Sequence, residues 1–313
     1  MLQQTITSQA TGSPPQATRL AVLVPFALVT LIWGSTWLVI RDQVSVVPAS
    51  WSVSYRFLLA GLTMLVLALV RRERLLFDAR GWGFAVALGV SQFCLNYDFV
   101  YRAEEHLTSG LVAAMFALLL LPNALLGWAF LRQRLSRQFL TGSLVAMAGV
   151  ALLLVHEVRA DPHGGHEAWV GIGLSLAAIL AASVANVLQA TRTAKAYPMV
   201  AMLAVAMLIG TALDAATAFV LSGPPVIEPR AGYFIGIVYL GVVGSAIAFT
   251  LYFNVLRVIG PAKAAYSSVI TPAIAMLLST LFEGYRWTWL AVAGGLLTLV
   301  GLVMALRARK PAR

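Results

Sequence analysis

Long apolar stretches, each close to 20 positions and each broken by a short polar or charged interval, run through the whole chain. An α-helix rises 1.5 Å per residue, so about 20 apolar residues cross a hydrocarbon layer of roughly 30 Å. The pattern predicts ten such helices. They fall near residues 21–41, 50–70, 82–103, 107–131 and 138–155, then 168–190, 199–221, 232–256, 262–282 and 288–306. A polar interval over 156–167, with Asp161-Pro162 and Gly164-Gly165, divides them into two sets of five. The expected organisation is a disordered cytosolic tail over 1–18, a first five-helix unit over 21–155 and a periplasmic linker over 156–167. A second five-helix unit over 168–306 and a basic cytosolic tail over 307–313 follow. The first apolar run is too long for the core of a cleaved signal peptide, so the tail before it is expected to be retained.

Composition excludes a soluble globule. The chain is 60% hydrophobic and 11% charged, against roughly 45–50% and about 25% for a soluble domain. A formal charge of +10 would suggest nucleic acid in a soluble protein, but the charges sit in the wrong places for that. With the N-terminus inside, 16 of the 22 Lys and Arg residues fall in inner segments, five in outer ones, and Arg56 lies within a helix. This is the positive-inside asymmetry of a multi-pass protein with both termini cytoplasmic, in a cell inner (plasma) membrane. The expected partners are the lipid bilayer and a small-molecule substrate, with no nucleic acid. The lone Cys94 excludes an internal disulfide and reads as packing.

The two sets of helices also resemble each other. Gly89, Arg134, Gly142 and Gly149 recur 152 residues later as Gly241, Arg286, Gly294 and Gly301, and Pro122 recurs 150 residues later as Pro272. An odd number of helices per set turns the second upside down relative to the first. The predicted fold is therefore an all-α integral membrane protein of ten transmembrane helices, built as two inverted-topology five-helix repeats, an architecture recurrent among secondary transporters.

Several stretches carry a family resemblance. Trp33-Gly34-Ser35-Thr36-Trp37, Arg56-Phe57-Leu58-Leu59-Ala60 and the run Ala103 to Ala113 stand in the first half. Gly260-Pro261-Ala262, Thr271-Pro272 and the turn Glu283 to Arg286 stand in the second. In order and spacing the chain resembles the EamA family of the drug/metabolite transporter superfamily, over about residues 21–306. The resemblance implies a ten-helix carrier that exports amino acids or other metabolites without ATP hydrolysis.

The residues themselves suggest where a substrate would sit. Pro122 and Pro272 each remove a helical hydrogen bond, freeing the carbonyls of Leu118 and Ser268, and matched interruptions in two repeats point to a transporter's site. They are the hinge candidates; a tolerated kink is the plainer alternative. Arg56, Asp98 and Asp214 are charges inside apolar runs, which need partners, water or a function. Arg56 with one or both aspartates would form an outer gate or bind a zwitterion, and Asp214 is the proton-coupling candidate. Asp98 has a local alternative, an ion pair with Arg102 one turn on. Trp33 and Trp37, and Tyr97 and Tyr101, are pairs one turn apart that suit either a stacking cavity or an interfacial aromatic belt. Gly34 and Ser35 read as close-packing residues. Asn96, Asn186, Gln189 and Asn254 are amides able to meet a substrate or one another. Asn186 is the preferred cavity residue, because the repeat places it near Trp37.

An enzyme is not expected. His106, His156, His163 and His166 all fall at helix ends or in the linker, and His163, His166 and Glu167 read as a solvated loop rather than a metal site. No glycine-rich phosphate loop followed by Lys is present, so no ATP-driven cycle, no metal and no cofactor are expected. A translocase of lipid-linked carriers is the competing transporter reading, and an intramembrane enzyme the competing class.

Overall fold

The computed structural model describes residues 16–132, 136–160, 165–259 and 267–307, and every regular element among them is helical. The helices are α1 (Gln16–Val44), α2 (Ala49–Val70), α3 (79–106), α4 (109–131), α5 (Arg137–Ala160) and α6 (His166–Gln189). Then come α7 (Met199–Ser222), α8 (231–259), α9 (Ser267–Phe282) and α10 (Trp289–Leu306), with a short connecting helix, Arg192–Ala196, ahead of α7. Seven of these are long and apolar enough to cross a membrane: α1, α2 and α4 to α8. α3 is as long but carries Gln92, Asn96, Asp98 and Arg102. The apolar stretches of α9 and α10 are shorter, at Thr271–Phe282 and Trp289–Ala305.

The packing is the reverse of a soluble protein's. Large apolar side chains such as Leu62, Val66, Phe130, Trp169, Leu180 and Trp289 face outward, while Arg56, Asp98, Glu104 and Asp214 are buried. A surface this apolar suits lipid as its solvent, because water would drive it to associate. Without a hydrophobic force between helices in lipid, close backbone approach has to hold the bundle. α5 and α10 supply it with glycine. A Cβ on Gly142 would stand 2.7 Å from the Gly301 carbonyl, and one on Gly149 2.6 Å from the Gly294 carbonyl. The pairing runs in opposite orders along the two helices, so they are antiparallel. α2 and α7 are also antiparallel. Trp51 Nε1, early in α2, donates to the Gly223 carbonyl just after α7 (3.3 Å), and the Ala201 amide, early in α7, donates to Glu73 just after α2 (2.9 Å).

Two π-helical stretches, Gly89–Asn96 in α3 and Tyr239–Ile247 in α8, were not foreseen. Each carries a glycine wedged against the other half: a Cβ on Gly89 would meet the Ala206 carbonyl at 2.8 Å, and one on Gly241 the Arg56 carbonyl at 3.0 Å. Asp78 caps α3 by accepting from the Gly81 amide (2.8 Å) and also from the Tyr197 hydroxyl (2.5 Å). These two donors hold the Asp78 carboxyl below its ordinary value. A lowered value stabilises the fold above the usual carboxylate range near pH 4 and is lost only as pH falls through the lowered one, so this cap is intact at neutral pH.

Some boundaries differ from expectation. α5 continues to Ala160 and α6 starts at His166, because nothing ahead of Asp161-Pro162 interrupts the helix, so the linker is narrower than 156–167. α1 begins at Gln16, inside the stretch expected to be tail. Residues 1–15 and 308–313, Arg134, His163 and Gly260-Pro261-Ala262 lie outside the described residues. The prolines are locally unlike each other. Pro272 sits inside α9, whereas Pro122 is the third residue of an α-helical segment that follows a 3-10 turn over Phe116–Leu119. The carbonyl that Pro122 leaves without its helical N–H falls in this tightened stretch of α4.

Candidate functional site

A cavity of about 110 Å³ lies between α1, α3, α4, α6, α8 and α9. Six aromatic side chains stand in its walls. α1 contributes Trp33 and Trp37 on one face, α3 contributes Tyr97, α4 Phe116, and α8 Phe249 and Tyr252 one turn apart. Trp33 packs edge-on against Phe249 with centroids 5.4 Å apart and tilts against Tyr252 at 4.9 Å, while Trp37 meets Phe116 edge-on at 5.3 Å. Such contacts fix ring orientation and leave faces open to a guest. No lysine, arginine, aspartate or glutamate is among the described residues lining the cavity.

The polar groups in the walls are few and partly unsatisfied. Asn96, from the π-helical stretch of α3, gives a long bond from Nδ2 to the Gln92 carbonyl (3.4 Å), while its Oδ1 is buried without a partner. Trp37 Nε1 and Thr271 Oγ1 are likewise buried and unpartnered. Asn186 donates to Asn123 at 3.4 Å, near the limit of a useful bond. A buried polar atom left unmade costs free energy comparable to a lost hydrogen bond, so these atoms are where a bound molecule would gain most.

Arg56 stands behind this wall, at 0% exposure. Its Nε donates to Ser245 Oγ (2.9 Å), Nη2 to the Gly244 carbonyl (3.4 Å) and Nη1 to the Tyr101 hydroxyl (3.5 Å). The guanidinium lies 4.4 Å from the centroid of the Tyr97 ring. The π-helical turn in α8 makes this reach possible: Ser245 Oγ bonds the Leu240 carbonyl (2.8 Å), and the Gly244 carbonyl accepts from both Arg56 and Trp33 Nε1 (3.2 Å). The charge thus supports the cavity wall from outside it, through Tyr97 and Gly244.

The expected grouping of Arg56 with the aspartates does not form. Asp98 pairs with Arg102 (2.7 Å), and both bond Ser50 Oγ, the local alternative that their spacing allowed. Asp214 is fully buried, its carboxyl oxygens have no hydrogen-bond partner of good geometry, and its charged neighbours are Asp98 and Arg102. Trp37 and Tyr101 are not belt residues: Trp37 lines the cavity, and Tyr101 is buried with its hydroxyl donating to Gln43 Oε1 (3.1 Å). Both lie near a helix end, and neighbouring helices cover that end. Gly34 is a packing residue, since a Cβ there would stand 2.7 Å from Ile274. Ser35 bonds the Tyr239 hydroxyl (2.7 Å), Gln189 is buried, and Asn254 is exposed away from the cavity. His106 pairs with Glu167 between the ends of α3 and α6. Pro272 lines the cavity and Pro122 does not. Among the lining residues missed are Gln92, Phe116, Phe249, Tyr252 and Thr271. Phe249 was findable, for it is the position 152 residues beyond Tyr97.

Several related proteins are transporters by name. The chain is 22% identical over 291 residues to protein PagO of Salmonella typhimurium, covering 93% of this chain and 94% of that protein. It is 27% identical over 268 residues, 84% of each chain, to an uncharacterized inner membrane transporter, YedA, of Escherichia coli. It is also 23% identical over 303 residues, 91% of this chain and 96% of the other, to a probable amino-acid metabolite efflux pump of Salmonella typhimurium. A crystal structure 20% identical to it superposes with a TM-score of 0.65 over 92% of this chain and 96% of that one, so the two share a fold. The model of the EamA-like transporter family matches residues 21–155 and again residues 169–307, and this chain, a multi-span membrane protein, belongs to that family.

Proposed function

We propose that the chain is a secondary carrier that exports small metabolites, amino acids or related compounds, across the cell inner membrane by alternating access. The observation that carries this reading is the cavity: aromatic walls, an uncharged lining, and unpartnered Asn96 Oδ1, Trp37 Nε1 and Thr271 Oγ1. Such a lining favours a solute with an apolar or aromatic body and a few polar groups. Trp33, Trp37 and Tyr97 would stack on that body, and Asn96 and Asn186 would orient it. Arg56 would hold Tyr97 in place, and Pro272 would serve as a hinge where α9 meets the cavity.

The reading includes ten transmembrane helices in two inverted five-helix halves, with both termini cytoplasmic. Support comes from the two separate family matches, the π-helical stretches 150 residues apart, and the antiparallel packing of α2 with α7 and of α5 with α10. Each of those pairs joins helices that correspond under the repeat. The cavity also draws on matched pairs, α1 with α6, α3 with α8, and α4 with α9. That suits a site exposed alternately by rocking one half against the other.

A strain overproducing the chain, grown on toxic amino-acid analogues, nucleobases and cationic drugs, tests the substrate class. Raised resistance to aromatic or apolar amino-acid analogues, lost in Trp33→Ala, is expected. Resistance that Trp33→Ala leaves unchanged would argue against the cavity as the route.

A further inference from the structure

Arg56 is a buried charge with no counter-charge in contact. Its hydrogen-bond partners among the described residues are all neutral: Ser245 Oγ, the Gly244 carbonyl and the Tyr101 hydroxyl. No described carboxylate bonds it. Asp98 pairs with Arg102, and the oxygens of Glu104 and Asp214 have no hydrogen-bond partner. A guanidinium stays protonated in a protein, and a buried charge is little screened by salt, so its field falls on whatever lies beside it. What lies beside it is the cavity. The guanidinium stands over the Tyr97 ring, 4.4 Å from its centroid, and that ring lines the cavity. Gly244 lies between it and Thr36, a second lining residue: a Cβ on Gly244 would stand 3.6 Å from Arg56 Nη2 and 2.9 Å from Thr36 Cγ2. No described lining residue carries a charge to offset it. Glu104 is two helical turns beyond Tyr97 on α3, about 10 Å further along the axis.

We propose that Arg56 sets the sign of charge the cavity accepts: a neutral or anionic aromatic solute is taken, and a cationic one of the same shape is refused. The bare lining predicts the opposite. Aromatic faces attract cations, and desolvation penalises both signs. Arg56 reverses the preference because its guanidinium already occupies one face of Tyr97. A charged group packed on the other face would stand roughly 8 Å from it, and at an effective dielectric near 20 that interaction changes affinity by about thirtyfold. The unpartnered polar atoms act in the same sense. Trp37 Nε1 can only donate and Thr271 Oγ1 can donate, so both suit a carboxylate or amide oxygen, while Asn96 Oδ1 suits an amide N–H. An amino acid satisfies the rule with its carboxylate, not its ammonium, on the Tyr97 side. The inference rests on the cavity as the solute site, and it narrows the solutes that the site takes.

Calorimetric titration of the purified full chain with phenylacetamide, phenylacetate and phenethylammonium, one ring in three charge states, tests the rule at neutral pH. Phenylacetate and phenylacetamide are each expected to bind about tenfold or more tighter than phenethylammonium. Arg56→Lys keeps the charge and should keep that order. Arg56→Gln removes the charge and should level or reverse it. A loss of packing alone weakens all three probes together and leaves the order in place, so the order reports on charge. The wild type and Arg56→Lys keep the test intact if Arg56→Gln does not fold. Phenethylammonium bound as tightly as phenylacetate by the wild type, an order unchanged in Arg56→Gln, or no binding of any of the three would overturn the proposal. Flux of the same probes into proteoliposomes is read separately: the expected binding order without flux would support the charge rule and remove the carrier reading.

Discussion

Gly301→Ala is expected to destabilise the purified protein by about 1–3 kcal/mol, the usual range for overpacking a closely packed site. The added methyl would press into the Ala146 amide and stand 2.6 Å from the Gly142 carbonyl, both backbone groups that cannot swing aside. α5 and α10 would have to separate along their whole crossing. Alanine is the better helix former by roughly 1 kcal/mol, so the clash must exceed that gain to show as a loss. Gly295→Ala, on the same helix but next to Gly294, supplies the contrast: the nearest atom to its Cβ is Trp287 at 3.8 Å. That variant is expected to be neutral or slightly stabilised. Thermal unfolding of the two proteins in one detergent checks the pair, and equal midpoints would mean that glycine does not set the α5–α10 distance.

The second large effect is expected at Arg56, on activity rather than folding. Arg56→Lys keeps the buried charge but loses the planar fork that spans Ser245, Gly244 and Tyr101, and loses the stacking on Tyr97. A hydrogen bond to a charged group is worth about 1.5–3 kcal/mol, and a cation over a ring up to about 2 when desolvated. Losing even one such contact frees Tyr97 and the Gly244 carbonyl, both tied to the cavity wall. Conferred resistance, or counterflow of the solute once identified, should fall about tenfold or more while the protein still elutes as a single species. Wild-type activity in Arg56→Lys would show that a point charge suffices and that the wall does not depend on the fork.

What could be read from the chain follows from what periodicity encodes. Trp33 and Trp37 are one turn apart, so a shared face follows from helical geometry alone, and that face does line the cavity. Asn186 was placed beside them through the repeat, and it lines the same cavity. Arg56 and the aspartates stood at similar depths along their helices, but depth says nothing about rotation between helices. Arg102 and Ser50 therefore took Asp98, and Tyr101, Ser245 and Gly244 took Arg56. The π-helical turns carry no comparable sequence signal. Each holds glycine, one in α3 and two in α8, yet so do several regular stretches, and it is the close approach of α7 to Gly89 and of α2 to Gly241 that makes those two special. Glu104 was invisible for a related reason. An acid among Glu105 and His106 reads as a solvated helix end, and its burial appears only in the folded bundle.

On the proposed cycle, the cavity between the two halves would open to each side of the membrane in turn, and single-cysteine accessibility tests this without knowledge of the substrate. In a Cys94→Ala background, Asn186→Cys places one thiol in the cavity wall. A membrane-impermeant maleimide, applied to right-side-out and to inverted vesicles, should label that thiol from both sides. An Asn254→Cys thiol, outside the cavity, marks labelling that does not pass through it. Labelling of Asn186→Cys from one side only, at every pH and with every solute tried, would contradict alternating access.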